Sequence, residues 1–262
     1  MEKNFCKKRI ELIDEVRGIA VFCMLVYHSL FILDEMFACR WAEKAFDFFT
    51  PVEPFFAGVF IFICGLSCTL SSNNLKRGLI LLGVALGFTV VTCFVFPAFT
   101  YSGFQIRFGI LHFLSCSVLI YCLLKKLKIN INPYIGLILC VFLYALFSPI
   151  EKGFLSYGEI VVLPLPKALY QSDWLMPLGI YSPSFFSSDY FPIFPSIFIF
   201  LSGTLAGKIF TARDYPEAVY KKRCAFFGFL GKKALIIYVV HMPLIFAVCY
   251  AVDYIIIPLV IR

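Results

Sequence analysis

Ile13-Asp-Glu-Val-Arg17-Gly-Ile-Ala-Val-Phe-Cys-Met-Leu-Val-Tyr-His28 is the stretch on which the fold turns. It opens an apolar run long enough to cross a bilayer, yet it carries a carboxylate, a guanidinium and an imidazole. As a helix, the eleven residues from Arg17 to His28 sweep about 1100°, three turns plus ~20°. Both side chains then lie on one stripe, roughly 16 Å apart along the axis at ~1.5 Å per residue. Asp14 falls about 40° to the other side of the stripe, and Val21 and Met24 lie between. A cation at the membrane boundary thus sits below an imidazole near mid-bilayer. Ionisable groups at such depth are costly and mark a functional path by default.

Composition agrees with a membrane location. Of the 262 residues, 61% are hydrophobic and only 15% charged, against about a quarter charged in soluble domains. Lipid-exposed backbone must satisfy its own hydrogen bonds, so the spans are helical. The expected fold is an all-α, polytopic transmembrane bundle forming a single domain over 1–262. Its seven spans are placed at 15–37, 52–71, 78–97, 108–124, 133–149, 190–208 and 233–258. No cleavable leader is expected, because the first apolar run lacks a small-residue cleavage site and continues as a full span. The eleven cysteines lie mostly within apolar runs, which reads as filler. No metal site is expected, since no histidine or carboxylate stands at ligand spacing beside Cys64 and Cys68.

The net charge of +7 is a topology signal. With the N-terminus inside, the cytoplasmic segments hold 17 of the 23 basic residues, among them Arg17, Lys76, Arg77 and the 208–233 cluster. That bias places the N-terminus in the cytoplasm and the C-terminus outside, with no part for nucleic acid. Residues 1–12 form a short basic, amphipathic segment at the inner surface. Residues 38–51 and 150–189 are outer loops, and only the second is long. The small residues Gly83/Gly87 and Gly203/Gly207 permit close helix approach and allow a homodimer.

All three histidines, His28, His112 and His241, fall inside predicted spans, and Asp189 sits near the outer end of span six. Each histidine has a plain alternative as a core residue bonded to a carbonyl. An imidazole can also accept a proton near neutrality and activate a hydroxyl or amine. Arg17, pinned by Asp14 at i,i+3, would meet a polyanionic cytosolic molecule together with Lys76 and Arg77. Tyr157, Tyr170, Trp174 and Tyr181 could stack on a sugar or anchor the membrane interface. A proton-coupled transporter or flippase of a lipid-linked or anionic solute is the competing reading. Buried histidines would then relay protons.

The Arg-x10-His helix resembles the hallmark of the transmembrane acyltransferase superfamily, including the family-3 membrane O-acyltransferases. More closely, several blocks are similar to bacterial relatives of the heparan-α-glucosaminide N-acetyltransferase catalytic domain. They are Arg9-Ile-x-x-Ile-Asp14-x-x-Arg17-Gly-Ile-Ala running on to Met24 and His28, Phe60–Gly65, and Phe108-Gly-Ile-Leu-His112. Asp189-Tyr-Phe-Pro-x-x-Pro195, Gly203-x-x-x-Gly207-Lys and Leu230-Gly-Lys-Lys-Ala-Leu-Ile-Ile-Tyr238-x-x-His241-x-Pro243 complete the set. The resemblance implies acetyl-CoA-dependent transfer of an acetyl group to an extracytoplasmic acceptor, a glycan hydroxyl or amine, by a multi-pass protein of the bacterial cytoplasmic membrane. It implies His28 as catalytic base, Asp14, His112, Asp189 and His241 in support, and Arg17, Lys76 and Arg77 on the acetyl-CoA. The lysosomal family member has Asn at the position of His28 and uses a histidine of the following loop. Residues 38–51 here contain none, so the role falls to His28, as in the family-3 pattern.

Overall fold

The computed structural model describes residues 9–35, 37–95, 97, 105–212 and 215–252. Residues 1–8 of the predicted basic segment and 253–258 of the seventh predicted span lie outside them. The chain is a helical membrane protein. Its helices form two compact units, 1–63 with 214–262, and 64–213.

The first unit is built around α1 (Glu11–Glu35). Glu11 and Asp14 in its first turn suit the positive end of the helix dipole. The predicted loop 38–51 is instead a helix, α2 (Arg40–Phe49), and α3 (Glu53–Leu70) begins in this unit. After a short turn at Glu217–Tyr220 come α8 (Ala225–Lys232) and α9 (Ala234–Ala251), numbered after the helices of the second unit. α1 packs against α2, α8 and α9. Its crossing with α8 is a backbone-to-backbone contact at Gly18 and Gly231. A Cβ on Gly18 would lie 1.8 Å from the Phe227 carbonyl oxygen, and one on Gly231 1.8 Å from that of Asp14. Glu15 is buried and accepts the N–H groups of Arg223 (2.7 Å) and Cys224 (2.9 Å), capping the start of α8. Glu11 pairs with Lys232 at 2.9 Å at the other end of that helix.

In the second unit the rest of α3 turns through Asn73 into α4 (Asn74–Val90), which runs on as a π-helical turn over Val91–Val95. The Asn73 side chain accepts the Lys76 N–H at 3.0 Å, satisfying one of the free amides of the first turn. α5 (Ile110–Lys126) packs on α4, and α6 (Pro133–Phe147) packs on α7 (Ile197–Ala212). Pro133 opens α6, where its missing N–H costs nothing. Within the unit α3 and α7 touch at Gly65, where a Cβ would meet the Phe200 carbonyl oxygen at 2.0 Å. The long loop holds a hairpin of β1 (Phe154–Tyr157) and β2 (Ile160–Pro164), with short 3-10 turns after it.

All seven apolar stretches contain a helix. Among the described residues, five helical segments are long and apolar enough to cross a membrane: Glu11–Glu35, Glu53–Leu70, Asn74–Val95, Pro133–Lys152 and Ala234–Ala251. α7 is apolar but has 16 residues, and α5 has 17. The predicted sixth span began at 190, whereas its helix begins at Ile197. Pro192 and Pro195 keep the residues before them out of helical conformation.

Candidate functional site

α1 runs unbroken from Asp14 through His28, so the predicted stripe exists on one helix. Asp14 is buried in the first turn of this helix and binds two guanidinium groups, Arg9 Nε and, at 3.0 Å, Arg17 Nη1. Arg17 Nη1 also donates to the Gly231 carbonyl at 3.4 Å. The carboxylate thus holds the guanidinium against the end of α8. The two glycines make this possible, since any larger residue would push α8 away from Arg17.

Three turns further along, the His28 ring meets His241 of α9. Nδ1 of His28 and Nε2 of His241 are 3.1 Å apart, and the ring centroids 5.0 Å. His241 is buried, and its Nδ1 lies 2.7 Å from the Tyr238 carbonyl. Both ends of the stripe therefore face consecutive helices of the same unit: Arg17 the end of α8, His28 the second turn of α9. Among the described residues neither imidazole pairs with a carboxylate.

His112 and Asp189 belong to the second unit and work at the start of α5. The Gly109 N–H donates to His112 Nδ1 at 3.2 Å. Thr89 Oγ1 gives its single proton to the Ile106 carbonyl at 3.0 Å and so accepts from His112 Nε2–H, also at 3.0 Å. Both ring nitrogens are consumed. Asp189 Oδ2 accepts the Ile110 N–H at 3.3 Å, at the positive end of α5. Gly109 is required there, because a Cβ would fall 2.3 Å from that oxygen. Lys76 is exposed and Arg77 half-buried, both in the first turn of α4 in this unit.

The long loop of the second unit carries its own network. Asp173 accepts the Ser182 hydroxyl (2.7 Å) and N–H (3.1 Å) and pairs with Arg107 at 3.3 Å. These bonds, Ser182's first, hold its carboxyl below the usual range. Tyr181 donates to Glu151 at 3.0 Å, and burial together with that charge pushes its phenol up to about 12. Tyr170 donates to the Ile150 carbonyl, and Tyr157 stacks on Phe142. Trp174 is 90% exposed.

Sequence reasoning did not find Glu15, Thr89 or the Tyr238 carbonyl. Glu15 carried a signal, a second carboxylate beside Asp14 in an apolar run. Tyr238 lies three residues before His241, where a helical carbonyl can reach the ring.

Residues 9–243 match the model of the heparan-alpha-glucosaminide N-acetyltransferase catalytic family. No curated protein and no solved structure matches the chain.

Proposed function

Because the chain belongs to the heparan-alpha-glucosaminide N-acetyltransferase catalytic family, we propose that it moves an acetyl group from cytosolic acetyl-CoA to a hydroxyl or amine of an extracytoplasmic glycan. In this reading the helices make seven crossings, with the N-terminus in the cytoplasm of a bacterial cell and the C-terminus outside, as the basic residues favour. α5 and α7 complete the count as short spans.

The observation that carries the reading is the single edge of α1 that bears Arg17 at one end and the His28–His241 pair at the other. Arg17 binds the phosphates of acetyl-CoA, and Asp14 fixes its guanidinium for that task. The pantetheine arm extends along the stripe toward His28, a rise of about 16 Å. His28 takes the proton from the acceptor O–H or N–H as that atom forms its bond to the thioester carbonyl carbon. The C–S bond breaks, and His28 returns the proton to the departing thiolate. Holding both reactants in a site away from water supplies much of the rate. His112 and Asp189 fix the start of α5.

Membranes containing the protein, given acetyl-labelled CoA and a glycan acceptor, test the reading. Thioester consumption that is lost in His28→Ala is expected. Counterflow of a solute without thioester turnover would replace it with transport.

A further inference from the structure

The three imidazoles differ in which nitrogen their neighbours leave open, and hydrogen-bond directions decide it. A carbonyl oxygen only accepts, so the 2.7 Å contact to Tyr238 requires a proton on His241 Nδ1. In an uncharged His241 the other nitrogen, Nε2, is then an acceptor. Its partner at 3.1 Å is His28 Nδ1, which must therefore be the donor. A neutral His28 holds only one ring proton, so its Nε2 carries the lone pair. From these directions we infer that His241 is a positioning residue: the relay from the Tyr238 carbonyl through His241 to His28 locks His28 in the tautomer whose basic nitrogen is Nε2.

The inference rests on His28 being the base of the proposed transfer, and it adds what makes it one. A histidine in the other tautomer presents an N–H where a proton acceptor is needed. When His28 Nε2 takes a proton, its Nδ1–H still donates to His241, which spreads the new charge without moving the ring. That is the part a buried carboxylate plays in a serine-histidine-aspartate triad. A second imidazole does it here without placing a fixed negative charge in the membrane. His112 provides a contrast within the same chain. Its Nδ1 accepts from Gly109 and its Nε2–H donates to Thr89, so it holds the opposite tautomer with both nitrogens occupied.

Nitrogen-15 spectra of the full-length protein, labelled at histidine and held in lipid nanodiscs, test this without reference to activity. The chain has three histidines, so each signal can be assigned by substitution. His28 and His241 are expected with Nδ1 protonated and Nε2 bare, and His112 with the reverse. His241→Phe removes the acceptor, and a population of His28 protonated on Nε2 should appear. His241→Gln should restore the wild-type pattern, since its amide oxygen reaches the place of Nε2. His241→Asn should not, because its amide stands at the level of Nδ1. If the transfer is also assayed, His241→Phe should lose about 10²-fold or more in kcat, with Gln recovering most of it. The Met24 carbonyl lies one helical turn before His28 on α1, near enough to act on the same ring. An unchanged His28 tautomer in His241→Phe would assign the locking to Met24 and overturn the inference, as would wild-type His28 protonated on Nε2. Correct tautomers without acetyl transfer would leave the relay standing and remove the acetyltransferase reading instead.

Discussion

Replacing Gly231 by alanine puts a methyl carbon 1.8 Å from the Asp14 carbonyl oxygen, where real Cβ contacts essentially never fall below 3.0 Å. Neither group can yield by rotating a side chain, because both are backbone. α1 and α8 must therefore part by about 1.2 Å at the crossing. α8 leads directly into α9, so the displacement reaches His241. Its 3.1 Å contact with His28 would be stretched past the range of a good hydrogen bond. The Arg17 bond to the Gly231 carbonyl, already 3.4 Å, would break. Forcing a methyl into a packed contact costs about 1–3 kcal/mol, and a shift of ~1 Å in a catalytic group costs about 10²-fold in rate. Thermal unfolding followed by tryptophan fluorescence, with labelled acetyl transfer beside it, reads both effects. Gly18→Ala should behave alike, its Cβ meeting the Phe227 carbonyl at 1.8 Å. Gly83→Ala and Gly87→Ala serve as controls, since nothing within 4 Å meets a Cβ there. If Gly231→Ala and Gly18→Ala unfold and transfer acetyl like the controls, the close crossing does not hold the site.

Other substitutions separate structural roles from chemical ones. Glu15→Ala should destabilise by about 1–2 kcal/mol through loss of the α8 cap, seen as faster amide exchange at Arg223 and Cys224. His112→Phe should lower thermal stability by about 1–3 kcal/mol, leaving the Gly109 N–H without its acceptor and Thr89 Oγ1 without the donor it accepts from. Its kcat per folded molecule should stay near wild type, whereas His28→Ala should fold normally and lose turnover. The depressed carboxyl of Asp173 stabilises the folded loop fully above its unfolded pKa of about 3.9. That contribution is lost as pH falls from there through the folded value. Melting temperatures of wild type and Asp173→Asn should therefore differ at neutral pH and converge in acid.

Much of the scaffold can be read from hydrophobic runs alone, because a helix in lipid needs only length and apolarity to declare itself. α1, α3, α4 and α6 fall within a few residues of their expected places. The Asp14–Arg17–His28 stripe follows from the helical period and needs no tertiary information. α2 is invisible to the same reasoning. Ten residues with alternating charged and aromatic faces are too short for a span, so Arg40–Phe49 reads as a loop. The hairpin at 154–164 is hidden because its apolar strands sit in a proline-rich segment. His28 and His241 are 213 residues apart, and nothing in their local sequence says that the rings meet or which proton lies between them. The two glycine contacts are legible only as small residues. Which backbone each one admits is a property of the packed helices.

The most direct measurement concerns sidedness. Sealed inverted vesicles, with a glycan acceptor trapped inside, would be given acetyl-labelled CoA on the outside only, the former cytoplasmic face. Label on the enclosed acceptor and free CoA outside, both absent with His28→Ala, are the expected result. Label that stays on the face where the donor was added, or transfer that survives His28→Ala, would contradict a path along α1 from Arg17 to His28.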